Sequence, residues 1–88
     1  MQTAIPDEWR ELHARRRDVL LTLYRRGPIR TSALYADETK ASAHRALNGL
    51  ADAGLIERYE SDDDGRVTMN ALTWDGQDLV RRVVDPDA

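Results

Sequence analysis

Apolar residues recur along this chain with two different periods, and the change of period divides it. Between residues 7 and 26, steps of about 100° gather Trp9, Leu12, His13, Arg16, Val19, Leu20, Leu23 and Tyr24 into one arc, the stripe of an amphipathic helix. Asp7 after Pro6 supplies an N-cap, Arg25 and Arg26 suit the negative end of the dipole, and Gly27-Pro28 stops the helix. Core or interface packing is the reading for His13, and snorkelling or pairing with an acid for Arg16. A short strand is possible near Ile29. A second, short helix is expected over residues 31–36, capped by Arg30 or Thr31, with Ala33, Leu34 and Tyr35 offering the buried contacts. A turn at Asp37-Glu38 leads to Thr39, the N-cap of a third helix over residues 40–53 that Gly54 closes in the left-handed conformation. This helix turns Ala43, Ala46, Leu47 and Leu50 inward. Ala41, Arg45, Asn48 and Asp52 face outward, with Ser42, His44 and Gly49 at the flanks.

After Gly54 the period shortens to that of strands. Residues 55–60 and 66–72 flank a turn-rich segment, Ser61-Asp62-Asp63-Asp64-Gly65, and predict a β-hairpin. Thr73 then caps a last helix to Val84, with Leu79, Val80, Val83 and Val84 apolar. Trp9 and Trp74 carry the largest apolar areas and are expected in the core. Residues 1–6 and 85–88 read as frayed ends of a single domain spanning 1–88.

A chain of 88 residues holds one modest core and leaves no space for a separate catalytic domain. Its 41% hydrophobic and 33% charged residues suit a globular chain. Apolar runs such as Val19-Leu20-Leu21 fall far short of the roughly 20 residues of a membrane span. The N-terminus lacks the basic start and apolar middle of a secretory signal, so a cytoplasmic protein with no membrane partner is expected. The absence of cysteine removes thiolate chemistry and Cys-based zinc sites, and two separated histidines make no metal site; neither metal nor cofactor is expected. The Asp62-Asp63-Asp64 run lacks the ligand spacing of a calcium loop. With no nucleophile triad or phosphate loop, an enzyme is not expected.

The net charge of −3 hides an uneven distribution. Residues 25–45 carry five basic side chains (Arg25, Arg26, Arg30, Lys40, Arg45) against two acids, whereas residues 57–65 carry Arg58 against five acids. A nucleic-acid partner is therefore open to the first stretch, since location matters more than the sum. Twelve of the thirteen basic residues are Arg and eleven of the sixteen acids are Asp. That bias resembles proteins of salt-accumulating halophilic archaea, with fluctuation in a short chain as the alternative.

The outer face of the third helix holds the residue types that read bases. Arg donates two hydrogen bonds to guanine, Asn pairs with adenine, and Ala touches a thymine methyl; Arg45, Asn48 and Ala41 are those three types on one face. Lys40 and the hydroxyls of Thr39 and Ser42 lie near the positive helix end, suited to phosphate oxygens. His44 is either a phosphate or base contact or an exposed spacer. Arg30 and Arg66 complete the candidate DNA contacts.

The order helix, short helix, helix, hairpin, helix, with a tight turn inside the middle pair, is that of a helix-turn-helix unit carrying a wing. The stretch from Thr39 through Arg45, Leu47 and Leu50 to Gly54-Leu55-Ile56-Glu57-Arg58 resembles the recognition helix and first wing strand of MarR-like winged-helix regulators. Leu72-Thr73-Trp74-Asp75-Gly76-Gln77-Asp78-Leu79 resembles the Leu-Thr-x-x-Gly-x-x-Leu that follows the wing there. The resemblance covers roughly residues 29–83 and implies a mainly α fold with a small β-hairpin (α+β). It implies a minimal form of that family, like small haloarchaeal or archaeal-virus repressors. Sequence-specific binding of duplex DNA and transcriptional regulation follow as expectations, with residues 40–53 in the major groove and the hairpin at its flank. A homodimer on two half-sites is expected, and a small-molecule effector is left open. The acidic wing supports the competing expectation of a protein-protein interaction module.

Overall fold

The structure is a computed structural model that describes residues 5–34, 40–63 and 65–85. The Asp37-Glu38 turn and the Thr39 cap lie outside the described residues, as do Tyr35, Ala36, Asp64 and the ends at 1–4 and 86–88. The elements run α1 (Asp7–Arg10), α2 (Ala14–Arg26), β1 (Ile29–Arg30), α3 (Thr31–Leu34), α4 (Lys40–Asp52), β2 (Ile56–Glu60), β3 (Thr68–Leu72) and α5 (Trp74–Val84). The strands form one antiparallel sheet in the order β1-β3-β2, so the expected hairpin gains the short strand at Ile29 on its other edge.

The helix expected over residues 7–26 is broken. His13 takes an extended conformation, with φ −64° and ψ 153°, and separates α1 from α2. No glycine or proline marks the break. Instead the Arg17 guanidinium donates from Nε to the Leu12 carbonyl (2.9 Å) and from Nη2 to the Arg10 carbonyl (3.3 Å), satisfying acceptors that a continuous helix would have bonded internally. Asp7 is the first residue of α1 and not its cap; Pro6 occupies the cap position, and its carbonyl accepts from Trp9 and Arg10. His13 is exposed and caps nothing through its side chain, so it is not part of the core. Tyr24, on the same expected stripe, is also exposed.

The core joins Trp9 of α1, Val19, Leu20 and Leu23 of α2, and Ile29 to Ala43, Leu47 and Leu50 of α4, Leu55, Ile56, and Leu79 and Val80 of α5. Each of the fully buried leucines at 20, 47, 50 and 55 contributes about 1.5–3 kcal/mol through removal from water. Trp74 does not join them. It is 85% exposed, because the turn of α5 that follows the Thr73 cap directs its buried side through Gly76, Leu79 and Val80. Ala33 is exposed too, leaving Leu34, half-buried, as the described apolar contact of α3.

Two junctions set α4 against the sheet. At its end Gly54 adopts φ +78°, Leu55 N–H donates to the Leu50 carbonyl (3.0 Å) and Gly54 N–H to that of Ala51 (2.9 Å), a Schellman closure. At the far end of the hairpin the Thr73 hydroxyl oxygen accepts from Gly76 N–H (3.0 Å) and the hydroxyl donates to the Gly54 carbonyl, while Thr73 N–H donates to the Leu55 carbonyl (3.1 Å). The exit of α4 and the start of α5 are thereby tied to one point.

Candidate nucleic-acid interface

Four alanines and a mid-helix leucine pair make α4 a good intrinsic helix, and its two sides separate as the period requires. Ala43, Leu47 and Leu50 are buried, and Ala41, Arg45, Asn48 and Asp52 are exposed. Ser42 and His44 are half-buried at the flanks. Gly49 faces α2, where the Arg16 guanidinium lies across it; a Cβ there would stand 2.7 Å from that group. Arg16 thus runs along the helix pair to the surface of α4, the snorkelling alternative among the two expected for it.

The outward face does not consist of free side chains alone. Arg58, on β2, reaches across to it. The hairpin register places Arg58 opposite Asn70 and Asn70 opposite Ile29, so one rank of residues crosses all three strands. Partners opposite one another share a face, and this rank points toward α3 and α4. Arg58 Nε donates to Asn70 Oδ1 (2.9 Å), Nη1 to Asn48 Oδ1 (2.7 Å), and Nη2 to Thr31 Oγ1 (3.2 Å); Nη2 also meets His44 Nδ1 at 3.3 Å. Asn70, fully buried, donates from Nδ2 to the Ile29 carbonyl and to Thr31 Oγ1, both at 3.1 Å. The Thr31 hydroxyl donates in turn to the Thr68 carbonyl (3.3 Å), so it serves the sheet and not a helix cap.

None of the four side-chain partners of Arg58 is a carboxylate. Partial burial lowers the pKa of its guanidinium from the ordinary value, because withdrawal from water disfavours the charged form; an arginine keeps its proton nevertheless. The result is a cation held under α4, bonded to two residues of the face that the sequence pattern singled out.

The remaining expected contacts spread around this centre. Arg45 is exposed and has no hydrogen-bond or ion-pair partner among the described residues. Arg30 is exposed on β1, and Arg66 is exposed just before β3 and interacts within the chain. Ser42 likewise has an internal partner. Lys40 opens α4, but its side chain lies outside the described residues, as does Thr39 altogether. At the wing, Asp62 and Asp63 are exposed, and Asp63 N–H turns back to Ser61 Oγ (3.3 Å). Among the described residues no cluster of His, Cys, Asp or Glu could hold a metal, and no helix is long and apolar enough to cross a membrane.

Composition did not reveal Arg58 as a site residue, because there it counts as one base amid five acids. Parity could have. Arg58 stands two residues after the buried Ile56, on the inward side of a strand, where an arginine requires acceptors.

The model of the MarR family matches residues 14–68. Among solved structures, a MepR mutant from a multidrug-resistant S. aureus clinical isolate aligns with a TM-score of 0.80 at 22% identity, over 89% of this chain and 59% of that one. MarR itself aligns with a TM-score of 0.78 at 21% identity, over 89% and 57%. A MepR-like protein complexed with pseudoligands gives 0.74 at 28% identity, over 80% and 51%. The chain thus spans between half and three-fifths of the length of these structures. No curated protein matches the sequence.

Proposed function

The chain belongs to the MarR family, whose members are transcriptional regulators and not enzymes, and from that premise we propose that it reads duplex DNA sequence-specifically with α4 in the major groove. The observation that carries this reading is the exposed face of α4. Arg45, Asn48 and Ala41 stand on it, opposite the buried Ala43, Leu47 and Leu50. A guanidinium, an amide and a methyl on one exposed helical face can meet guanine, adenine or thymine edges, and a helix of this diameter fits that groove. The wing of β2 and β3 then flanks the duplex, with Arg66 in the loop at its tip and Arg30 beside α3 within reach of the backbone. A homodimer on two half-sites and a soluble, cytoplasmic setting complete the proposal, and no cofactor enters it.

Selection of bound sequences from a random duplex pool, followed by isotherms at several salt concentrations, tests the reading. A reproducible motif whose affinity falls with salt is expected, because phosphate contacts release counterions. Binding that ignores both sequence and salt would instead favour a protein-interaction module, the reading that the exposed Asp62 and Asp63 support.

A further inference from the structure

The partners of Arg58 restrict what α4 can offer a base. Guanidinium nitrogens are donors only. The Asn48 atom 2.7 Å from Nη1 is therefore its carbonyl oxygen, and an amide flip would set donor against donor. The same reasoning applies to His44. Its Nδ1 meets Nη2 at 3.3 Å and must present a lone pair, so the ring proton belongs on Nε2. Arg58 is itself fixed from below, since Nε is bonded to Asn70, and Asn70 is buried with its amide donors committed to Ile29 and Thr31.

We propose that Arg58 is a positioning residue that sets the hydrogen-bond polarity of α4, occupying the acceptor atoms of Asn48 and His44 and leaving their donors for the groove. The inference rests on α4 entering the major groove. One lone pair of Asn48 Oδ1 is then taken by Arg58, which orients the amide and makes its NH₂ the group presented to the base. His44 presents Nε2–H, and Arg45 carries donors alone. Three donors on one face select edges that accept: guanine N7 and O6, and thymine O4. Adenine also accepts at N7 but sets the N6 donor beside it, and cytosine offers the N4 donor, so guanine, with two adjacent acceptors, suits such a face best. Residue types alone point Asn48 at adenine; its bond to Arg58 points it at guanine.

The test compares duplex selection by the wild-type protein, Asn48→Ala and Arg58→Met. Asn48→Ala identifies the base pair that Asn48 faces, as the position where preference collapses. At that pair the wild type is expected to favour guanine over adenine. Arg58→Met deletes every donor and frees the Asn48 amide to turn, so the preference should shift toward adenine by about fivefold or more, the worth of one hydrogen bond. The pair faced by Arg45 should not change, which separates repositioning from general loss. Arg58→Met also strips the buried Asn70 oxygen of its donor, so a second measurement uses the wild type alone. Imidazole nitrogen shifts of His44 in the free protein should report the Nε2–H tautomer. An Nδ1–H tautomer, or an unaltered preference in a folded Arg58→Met, overturns the inference and leaves DNA reading intact. A wild-type protein that selects no sequence overturns both.

Discussion

A side chain at Gly76 has no room. A Cβ built there would overlap the Leu55 carbonyl oxygen and stand 3.2 Å from Leu72 Cδ2, at the point where Thr73 N–H also bonds that carbonyl. Backbone cannot yield as a flexible side chain can, so Gly76→Ala should cost about 1–3 kcal/mol, the range of overpacked cores. Thr73→Ala loses the cap beside it and should cost about 1 kcal/mol. Urea titration of both variants checks the order; a Gly76→Ala protein as stable as the wild type would refute the close approach. Asn70→Ala belongs to the same scale. It removes the acceptor of Arg58 Nε and a donor to the Ile29 carbonyl at a buried position, for a loss of about 1–3 kcal/mol by the same titration. The Leu-Thr-x-x-Gly spacing made the first pair of residues visible in the sequence, because a cap and a glycine three positions on form a local signature. The Arg58–Asn70 pair was hidden, because it depends on hairpin register, and the acidic loop between the strands does not specify one.

At the scale of elements, period carried most of the boundaries. The ends of α4 and α5, the glycine stops at 27 and 54 and the hairpin all follow from apolar spacing and turn residues. The stripe over residues 7–26 misled, since period reports which face is apolar and not whether the helix is continuous. His13 interrupts α1 and α2 without any breaker, and the compensation lies in Arg17, which the apolar period does not single out. For α4 the two candidate roles separate by measurement. Arg45→Ala preserves helix propensity and should cost about 1–3 kcal/mol in discrimination between the selected duplex and a scrambled one. Lys40→Ala should weaken both duplexes equally and lower the salt slope by roughly one unit. Full preference retained by a folded Arg45→Ala would remove α4 as the reader. The wing makes its own prediction. Three adjacent carboxylates repel phosphate, so replacing Asp62, Asp63 and Asp64 by Asn should strengthen binding to random duplex more than it alters the preferred sequence, and equal affinity at low salt would leave the run a solvated tip.

For the whole molecule, the apolar surface left outside the core decides what to expect in solution. Trp74 is 85% exposed and Val84 44%, both on α5, and Ile5 at 47% precedes α1. Neither tryptophan could be placed from its type: Trp9 met a core formed by four helices and the sheet, whereas Trp74 follows a cap whose geometry sends the next inward position to Gly76. A large aromatic held in water at one end of a small fold costs burial that a second copy can supply, at about 25 cal/mol per Å² covered. Two-fold pairing through the terminal elements would present two α4 helices to one duplex, as half-sites about one helical turn apart require. The expected outcome is a dimer mass by light scattering after size exclusion, at low and at high salt, with Trp74→Glu shifting the population toward monomer. The same variant should bind a single half-site nearly as well as the wild type but lose the advantage of the doubled site, because each α4 is left intact. A wild-type monomer at micromolar concentration under both salt conditions defeats the pairing, and Trp74 would then stand as an isolated exposed ring with no partner of its own kind.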